Sequence, residues 1–216
     1  MIRDFGSGEL FYVLLAARWT IALSLAAIAG GGVLGLLIMT LRVVPYRPIN
    51  LLAVGYIQVI QGTPLLGQLF VIYFGISVFG YDVGAWSAAV VAFSIYASAF
   101  LGEIWRGCVQ AIPRTQWEAS ASLGLSFVEQ LRYIIVPQAF RIGIPPTIGF
   151  FVHLVKNTSL ASAIGFIELT RAGQIINAAT FKPMIVYSVV AAAYFVICFS
   201  LSQISLRLEK RLHVAR

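Results

Sequence analysis

Four long windows of this chain carry no formal charge: Trp19–Leu41 (23 residues), Pro48–Tyr81 (34), Val83–Gly102 (20) and Pro183–Leu206 (24). A fifth, Ile142–Ile167, covers 26 residues and holds one charge, Lys156. About 20 apolar residues carry a helix across a ~30 Å hydrocarbon core, so each window predicts one crossing. In lipid the backbone must satisfy its own polar groups, which leaves helices as the spanning form for runs of this length. The predicted fold class is all-α integral membrane, with five transmembrane helices. Composition bears this out: 60% of residues are hydrophobic and 11% charged, where ordinary globular domains have about 25% charged. A disordered chain and a disulfide scaffold are excluded. The net charge of +7 is scattered among apolar runs rather than gathered in a basic stripe, so no nucleic acid is expected as a partner. Cys108 and Cys198, both in apolar context, read as small packing residues.

The 34-residue window is too long for one straight crossing and too short for two. It contains Gly62-Thr63-Pro64, where Thr suits an N-cap and Pro the first helical position. A short helix before that break and a spanning helix from Pro64 to about Phe79 are expected. Met1–Arg18 carries Asp4 and Glu9 and lacks a short apolar core followed by small residues, so the first window is read as a retained span, not a cleaved leader. Lys and Arg placement orients the five spans. With the C-terminus inside, cytoplasmic segments hold ten basic residues: Arg42, Arg47, Arg106, Arg114, Arg132, Arg141, Arg207, Lys210, Arg211 and Arg216. Outer segments hold four: Arg3, Arg18, Arg171 and Lys182. The N-terminus is expected outside and the C-terminus in the cytoplasm. Gly31 and Gly35 form a small-xxx-small pair on span one and predict close helix packing, within the chain or in a dimer.

Between spans three and four lies Arg106–Arg141, the longest polar-interrupted stretch. Thr115-Gln116-Trp117-Glu118 and Ser126-Phe127-Val128-Glu129 both have the capping-box pattern, predicting two short helices. Gly124 stands between them, where a helix end favours positive φ. Pro137 ends the second helix or starts the next. Such a helix–Gly–helix knuckle fits either a docking lever or a solvated amphipathic loop.

Glu118-Ala119-Ser120, Gly124, Ile134, Val136 and Pro137 resemble the Glu-Ala-Ala loop of ABC importer permeases. The intervals match: six residues from Glu118 to Gly124, ten to Ile134 and three to Pro137, with Ser120 in place of Ala and Val136 in place of Leu. Gln61-Gly62-Thr63-Pro64-Leu65-Leu66, Glu103-Ile104-Trp105-Arg106-Gly107, Pro137-Gln138-Ala139-Phe140-Arg141 and Lys156-Asn157-Thr158-Ser159-Leu160 are similar to polar amino-acid permeases, which serve histidine, arginine, glutamine, glutamate and opines. The likeness runs from about Ala17 to Leu208. It implies a type I importer permease in which Glu118, Ala119, Ser120, Gly124 and Pro137 belong to the loop (114–137) that couples to a cytoplasmic ATPase. It also implies a dimer of ATP-binding cassette subunits, a second permease copy or paralogue, an extracytoplasmic substrate-binding protein, and a bacterial inner-membrane location. The lysines support that division of labour. A phosphate-binding loop needs Gly-Lys-Ser/Thr, but Lys156, Lys182 and Lys210 follow Val155, Phe181 and Glu209. No cofactor is expected in this chain, and ATP is expected on the partner.

Span four opens with Pro145-Pro146, expected to break or kink it, and ends in a polar group. His153, Lys156 and Asn157 stand at i, i+3 and i+4 and share one helix face. Lys156 lies roughly 21 Å beyond Ile142 at about 1.5 Å per residue, toward the outer half of the membrane. An ionisable group there marks a solute route or snorkels to the headgroups. His153, Lys156, Asn157, Ser159 and Glu168 are the candidate pathway residues. Glu168 would accept a solute ammonium, Asn157 and Ser159 would bond its carboxylate, and Lys156 would attract that carboxylate or pair with Glu168. Family members often carry Asp where Asn157 stands, so the uncharged amide weakens the case for a strictly cationic solute. Glu103 and Arg106 are expected to neutralise each other at i, i+3.

Three segments are expected: an outer N-terminal stretch (1–16), the transmembrane domain (17–208) and a basic cytoplasmic tail (209–216). An intramembrane enzyme is the competing class, and it lacks support: His153 and His213 are the only histidines, and no HExxH or GxSxG is present. A secondary transporter is disfavoured by the absence of an internal repeat.

Overall fold

A computed structural model describes residues 4–44 and 46–213. Arg3 and Arg216, counted above for orientation, lie outside the described residues, as do parts of both terminal segments. The helices are α1 (Ser7–Val43), α2 (Arg47–Gly62), α3 (Leu65–Val78), α4 (Ala85–Gln110), α5 (Arg114–Ser122), the single turn α6 (Phe127–Glu129), α7 (Val136–Asn157), α8 (Leu169–Thr180) and α9 (Pro183–His213). A π-helical turn, Gln130–Ile135, joins α6 to α7, and a 3₁₀ segment, Thr158–Ile164, follows α7. The all-α membrane architecture is as expected. Four helical stretches are long and apolar enough to cross a membrane alone.

The second crossing differs from expectation. α2 and α3 have 16 and 14 residues, about 24 and 21 Å, so neither crosses alone. They meet at a bend of 98°, and only as a pair are they long enough to cross. Thr63 and Pro64 are both extended, with ψ of 144° and 132°, as the residue before a proline and a proline outside a helix tend to be. Thr63 does not cap α3; its hydroxyl donates backward to the Val59 carbonyl at 2.7 Å. The carbonyls left over at the end of α2 are met by Gln68, whose amide donates to Ile60 O (2.7 Å), Thr63 O (3.2 Å) and Thr63 Oγ1 (2.9 Å). α2 is pinned to α4 by Tyr56, whose hydroxyl lies 2.7 Å from Ser98 Oγ.

α4 is the axis of the bundle. Ala88, Ala89, Ala92, Phe93, Ala97 and Leu101 are all fully buried, with Leu23 and Ala27 of α1, Leu69 of α3 and Leu154 of α7 around them. The α1–α4 crossing uses the glycines of span one: a Cβ on Gly31 would collide with Ala97, and one on Gly35 would stand 3.0 Å from Leu101. The small-xxx-small pair therefore packs within the chain. α9 lies over α7 and α8, burying Cys198 beside Val152 and Val155, while Cys108 packs with Val109 and Ile135; both thiols are free.

Three local expectations need correction. α5 begins at Arg114 behind Pro113, with no side-chain cap; Thr115 is already inside the helix, so the first capping box does not form. The second one does: Ser126 N donates to Glu129 Oε2 at 2.8 Å and Glu129 N to Ser126 Oγ at 3.5 Å. Its helix is not separate, however, because the π turn carries it into α7. Pro137 has no N–H to give Tyr133, and the wider turn absorbs that loss. Gln138 Nε2 meanwhile serves the Ile134 carbonyl at 2.8 Å. Pro145 and Pro146 sit inside α7 without breaking it. Ser205 of α9 donates to Pro145 O at 3.3 Å and ties this turn of α7 to its neighbour.

Candidate coupling surface and solute pathway

α5 is held by one face against the π turn Gln130–Ile135 and the end of α4. Trp117 packs beside Val109, Ile112 and Ile135 and stacks on Phe127 with ring centres 6.0 Å apart. Ser120 is buried and donates to Trp117 O at 2.9 Å, so only a small residue fits where the family pattern has Ala. Glu118 and Ala119 are exposed, and Leu123 is 79% exposed. Gly124 has φ +78°, a left-handed conformation that a Cβ disfavours, and its N–H closes the helix on Ala121 O at 2.9 Å. Pro137 is exposed at the start of α7. The result is a short lever whose buried face is anchored and whose outer face is free to dock.

Above this knuckle lies an ion cluster that sequence spacing captured only in part. Glu103 accepts from Arg106 Nη2 at 2.7 Å, as its i, i+3 spacing implies, and also from Arg42 Nε of α1 at 3.0 Å. Arg42 bonds Asn50 of α2 as well. A separation of 61 residues hides the α1–α4 bridge from any local pattern.

At the far end of α7, His153 and Lys156 are exposed and Asn157 is half-buried, on the shared face expected. Tyr96 of α4 joins them: its hydroxyl lies 3.5 Å from His153 Nε2 and stands near the Asn157 side chain. Tyr96, Phe100 and Phe150 stack below. Ser159 turns back, donating to Lys156 O at 2.8 Å.

Glu168 is placed differently from the expectation. It is 0% exposed and caps α8. Oε1 accepts from Arg171 N and Oε2 from Thr170 N, each at 2.9 Å. Tyr194 of α9 donates to Oε2 at 2.6 Å. Next to it, Leu169 N donates to Thr20 Oγ1 of α1 at 3.2 Å. The carboxylate expected to meet a solute ammonium is thus enclosed by its own chain. The Lys156–Glu168 pair is not formed among the described residues. Burial raises the Glu168 carboxyl above its ordinary value, while the Tyr194 hydroxyl and the two N–H groups pull it down. An Ile-Glu-Leu-Thr-Arg run carries a cap signal, Glu followed by a helical turn, that points to this role; the packing of Tyr194 carries none.

Residues 31–214 match the model of the binding-protein-dependent transport system inner membrane component. The chain belongs to that family. It is 37% identical over 207 residues to the L-cystine transport system permease protein TcyB of Bacillus subtilis, covering 95% of this chain and 86% of that protein. It is 39% identical over 200 residues to the glutamine transport system permease protein GlnP of Escherichia coli, covering 92% and 91%. Among solved structures, it resembles a crystal structure of an amino acid ABC transporter with histidines at a TM-score of 0.90 and 36% identity, covering 98% and 100% of the two chains. The fold is also that of the inward-facing MetNI methionine ABC transporter, at a TM-score of 0.77 and 19% identity over 94% and 99%. The type I importer permease fold and the family expected from the Glu-Ala-Ala loop are both correct, and the chain is a multi-pass inner-membrane permease component.

Proposed function

We propose that this chain forms the translocation pathway of an ATP-driven, binding-protein-dependent importer of polar amino acids and hydrolyses no ATP itself. The observation that carries the reading is identity of 36–39% across nearly the whole chain to amino-acid permeases, joined to an anchored knuckle whose exposed face is Glu118, Ala119 and Leu123. An external binding protein delivers solute to the end bearing α8. Closure of a pair of ATP-binding cassette subunits pulls on α5, and Trp117 passes that movement to α4 and α7. A second permease copy or paralogue completes the pathway. The N-terminus lies outside and the C-terminal tail (209–216) in the cytoplasm, on the basic-residue bias, with 17–208 as the transmembrane domain.

Within the pathway, His153, Asn157 and Tyr96 form the polar face, with Lys156 and Ser159 at its outer edge. Asn157 and Tyr96 offer hydrogen bonds to a solute carboxylate, and Lys156 attracts that charge. Glu168 holds the wall, fixing α8 to α9. No cofactor is assigned to this chain. The test is uptake of labelled amino acids by the complex reconstituted with its ATPase and binding protein. Deleting Glu118–Gly124 is expected to abolish ATPase co-purification while membrane insertion persists; retained co-purification would overturn the coupling assignment. Uptake of only a non-amino-acid solute would favour the alternative, a permease for another small polar molecule.

A further inference from the structure

Two cavities are stacked along the loop-side ends of α1 and α4. The first, about 370 Å³, has apolar walls from Leu36 and Met39 of α1, Trp105 and Cys108 of α4, and Gly143 and Ile148 of α7. Its polar groups are already paired: Trp105 Nε1 donates to Thr147 Oγ1 at 2.9 Å, and Thr147 donates to Gly143 O at 2.6 Å. A dry apolar space of this kind holds water poorly and takes apolar matter well. One turn further along α1 and α4 lies the second cavity, about 410 Å³, lined by Arg42, Gln110, Arg114, Trp117 and Phe127. Val109 borders both. No carboxylate lines the second cavity. Arg42 shares Glu103 with Arg106, so that cluster holds two cations to one anion, and Arg114 adds a third cation. An apolar slot therefore abuts a cationic cavity, with Val109 in the wall of both.

We infer that the two cavities form a site for one anionic phospholipid, with an acyl chain in the slot between α1, α4 and α7 and the phosphate group against Arg114 and Arg42. The slot is walled by α1, α4 and α7, which belong to stretches long and apolar enough to span a membrane, so acyl chains are within its reach. Guanidinium groups match phosphate in geometry and charge. A segment of a second copy would fill the slot but gain nothing from the cationic cavity. The inference rests on the proposed function in one respect, that α5 stands at headgroup level on the cytoplasmic side. Bound there, the headgroup touches the Trp117–Phe127 pair that seats α5, and so ties anionic lipid content to the stiffness of the coupling knuckle.

Trp105 lines the slot and reports on it. In the full chain bearing Trp19→Phe and Trp86→Phe, the one other tryptophan is Trp117, which lines the second cavity of the same site. Vesicles containing phosphatidylglycerol or phosphatidylcholine, each with brominated acyl chains at equal bromine density, are the probes. Stronger quenching by phosphatidylglycerol is expected, with an apparent preference that falls about fivefold in Arg114→Gln, the share of one basic residue at a membrane surface. Gly143→Leu, or Ile148→Phe should the first fail to insert, fills the slot and is expected to remove the selective quenching. Equal quenching by both lipids, a preference unmoved by Arg114→Gln, or no quenching because a second copy covers the slot would each overturn the site. The measurement needs neither ATPase nor transport, so loss of uptake with selective quenching intact would count against the proposed function alone.

Discussion

A carboxylate taken out of water at a helix start needs donors in place of its hydration shell, and Glu168 has three from its own chain. Removing one is costly because the remaining group stays buried. Tyr194→Phe is expected to lower stability by about 1.5–3 kcal/mol, the range for a hydrogen bond to a charged group, measured by unfolding in mixed micelles. Burial outweighs the donors and holds the folded carboxyl above its ordinary 4.5. The stability linked to this group is therefore full below about 4.5 and declines as pH rises through the folded value, because the unfolded chain releases the proton more readily there. The thermal midpoint of the solubilised chain is expected to fall with rising pH in that window, and Glu168→Gln to flatten the slope. An unchanged slope would assign the pH dependence elsewhere. At this scale the sequence located Glu168 as a group of consequence but assigned it to the solute. Charge and position along the chain are local properties, whereas the hydroxyl of Tyr194 arrives from 26 residues away.

Helix contacts obey the same logic at larger size. Where Gly31 of α1 meets Ala97 of α4, any Cβ must displace backbone, and overpacking costs about 1–3 kcal/mol. Gly31→Val is expected to reduce stability by at least that range, whereas Gly55→Ala, with open space at its Cβ, is expected to be neutral or to gain about 0.5–1 kcal/mol. Equal losses in both would show that the α1–α4 crossing does not depend on close approach. Just beyond α5, Gly124→Val forces a β-branched residue to φ +78° and is expected to weaken ATPase co-purification more than membrane insertion. Local motifs predict the outcome where one turn decides it: Ser126 and Glu129 cap as spaced, Gly124 takes positive φ, and Pro137 stands in the first turn of α7. They fail where a neighbour intervenes. Pro113 starts α5 before Thr115 can cap it, and a π turn joins α6 to α7.

Across the whole molecule, the bent α2–α3 pair decides how many times the chain crosses. If the pair is one crossing, residues 80–84 face outward; if it dips in and returns, they face the cytoplasm. In a background with Cys108 and Cys198 replaced by Ala, Tyr81→Cys is expected to react with an impermeant maleimide on intact cells, and Ser122→Cys only after permeabilisation. Reaction of neither or both in intact cells would overturn the five-span topology. The charge-free windows settled the all-α membrane class, because lipid permits one solution for long apolar segments, and the spaced Glu118–Pro137 pattern pointed to the family. Tertiary structure alone decided that α2 and α3 are each too short to cross and meet at a sharp bend, that Arg42 completes the Glu103 cluster, that Tyr96 joins His153, and that Glu168 faces inward. Periodicity reports which residues avoid water. Which of them meet depends on helix crossings between segments tens of residues apart, and those are set by close packing at the α1–α4 seam rather than by any local pattern.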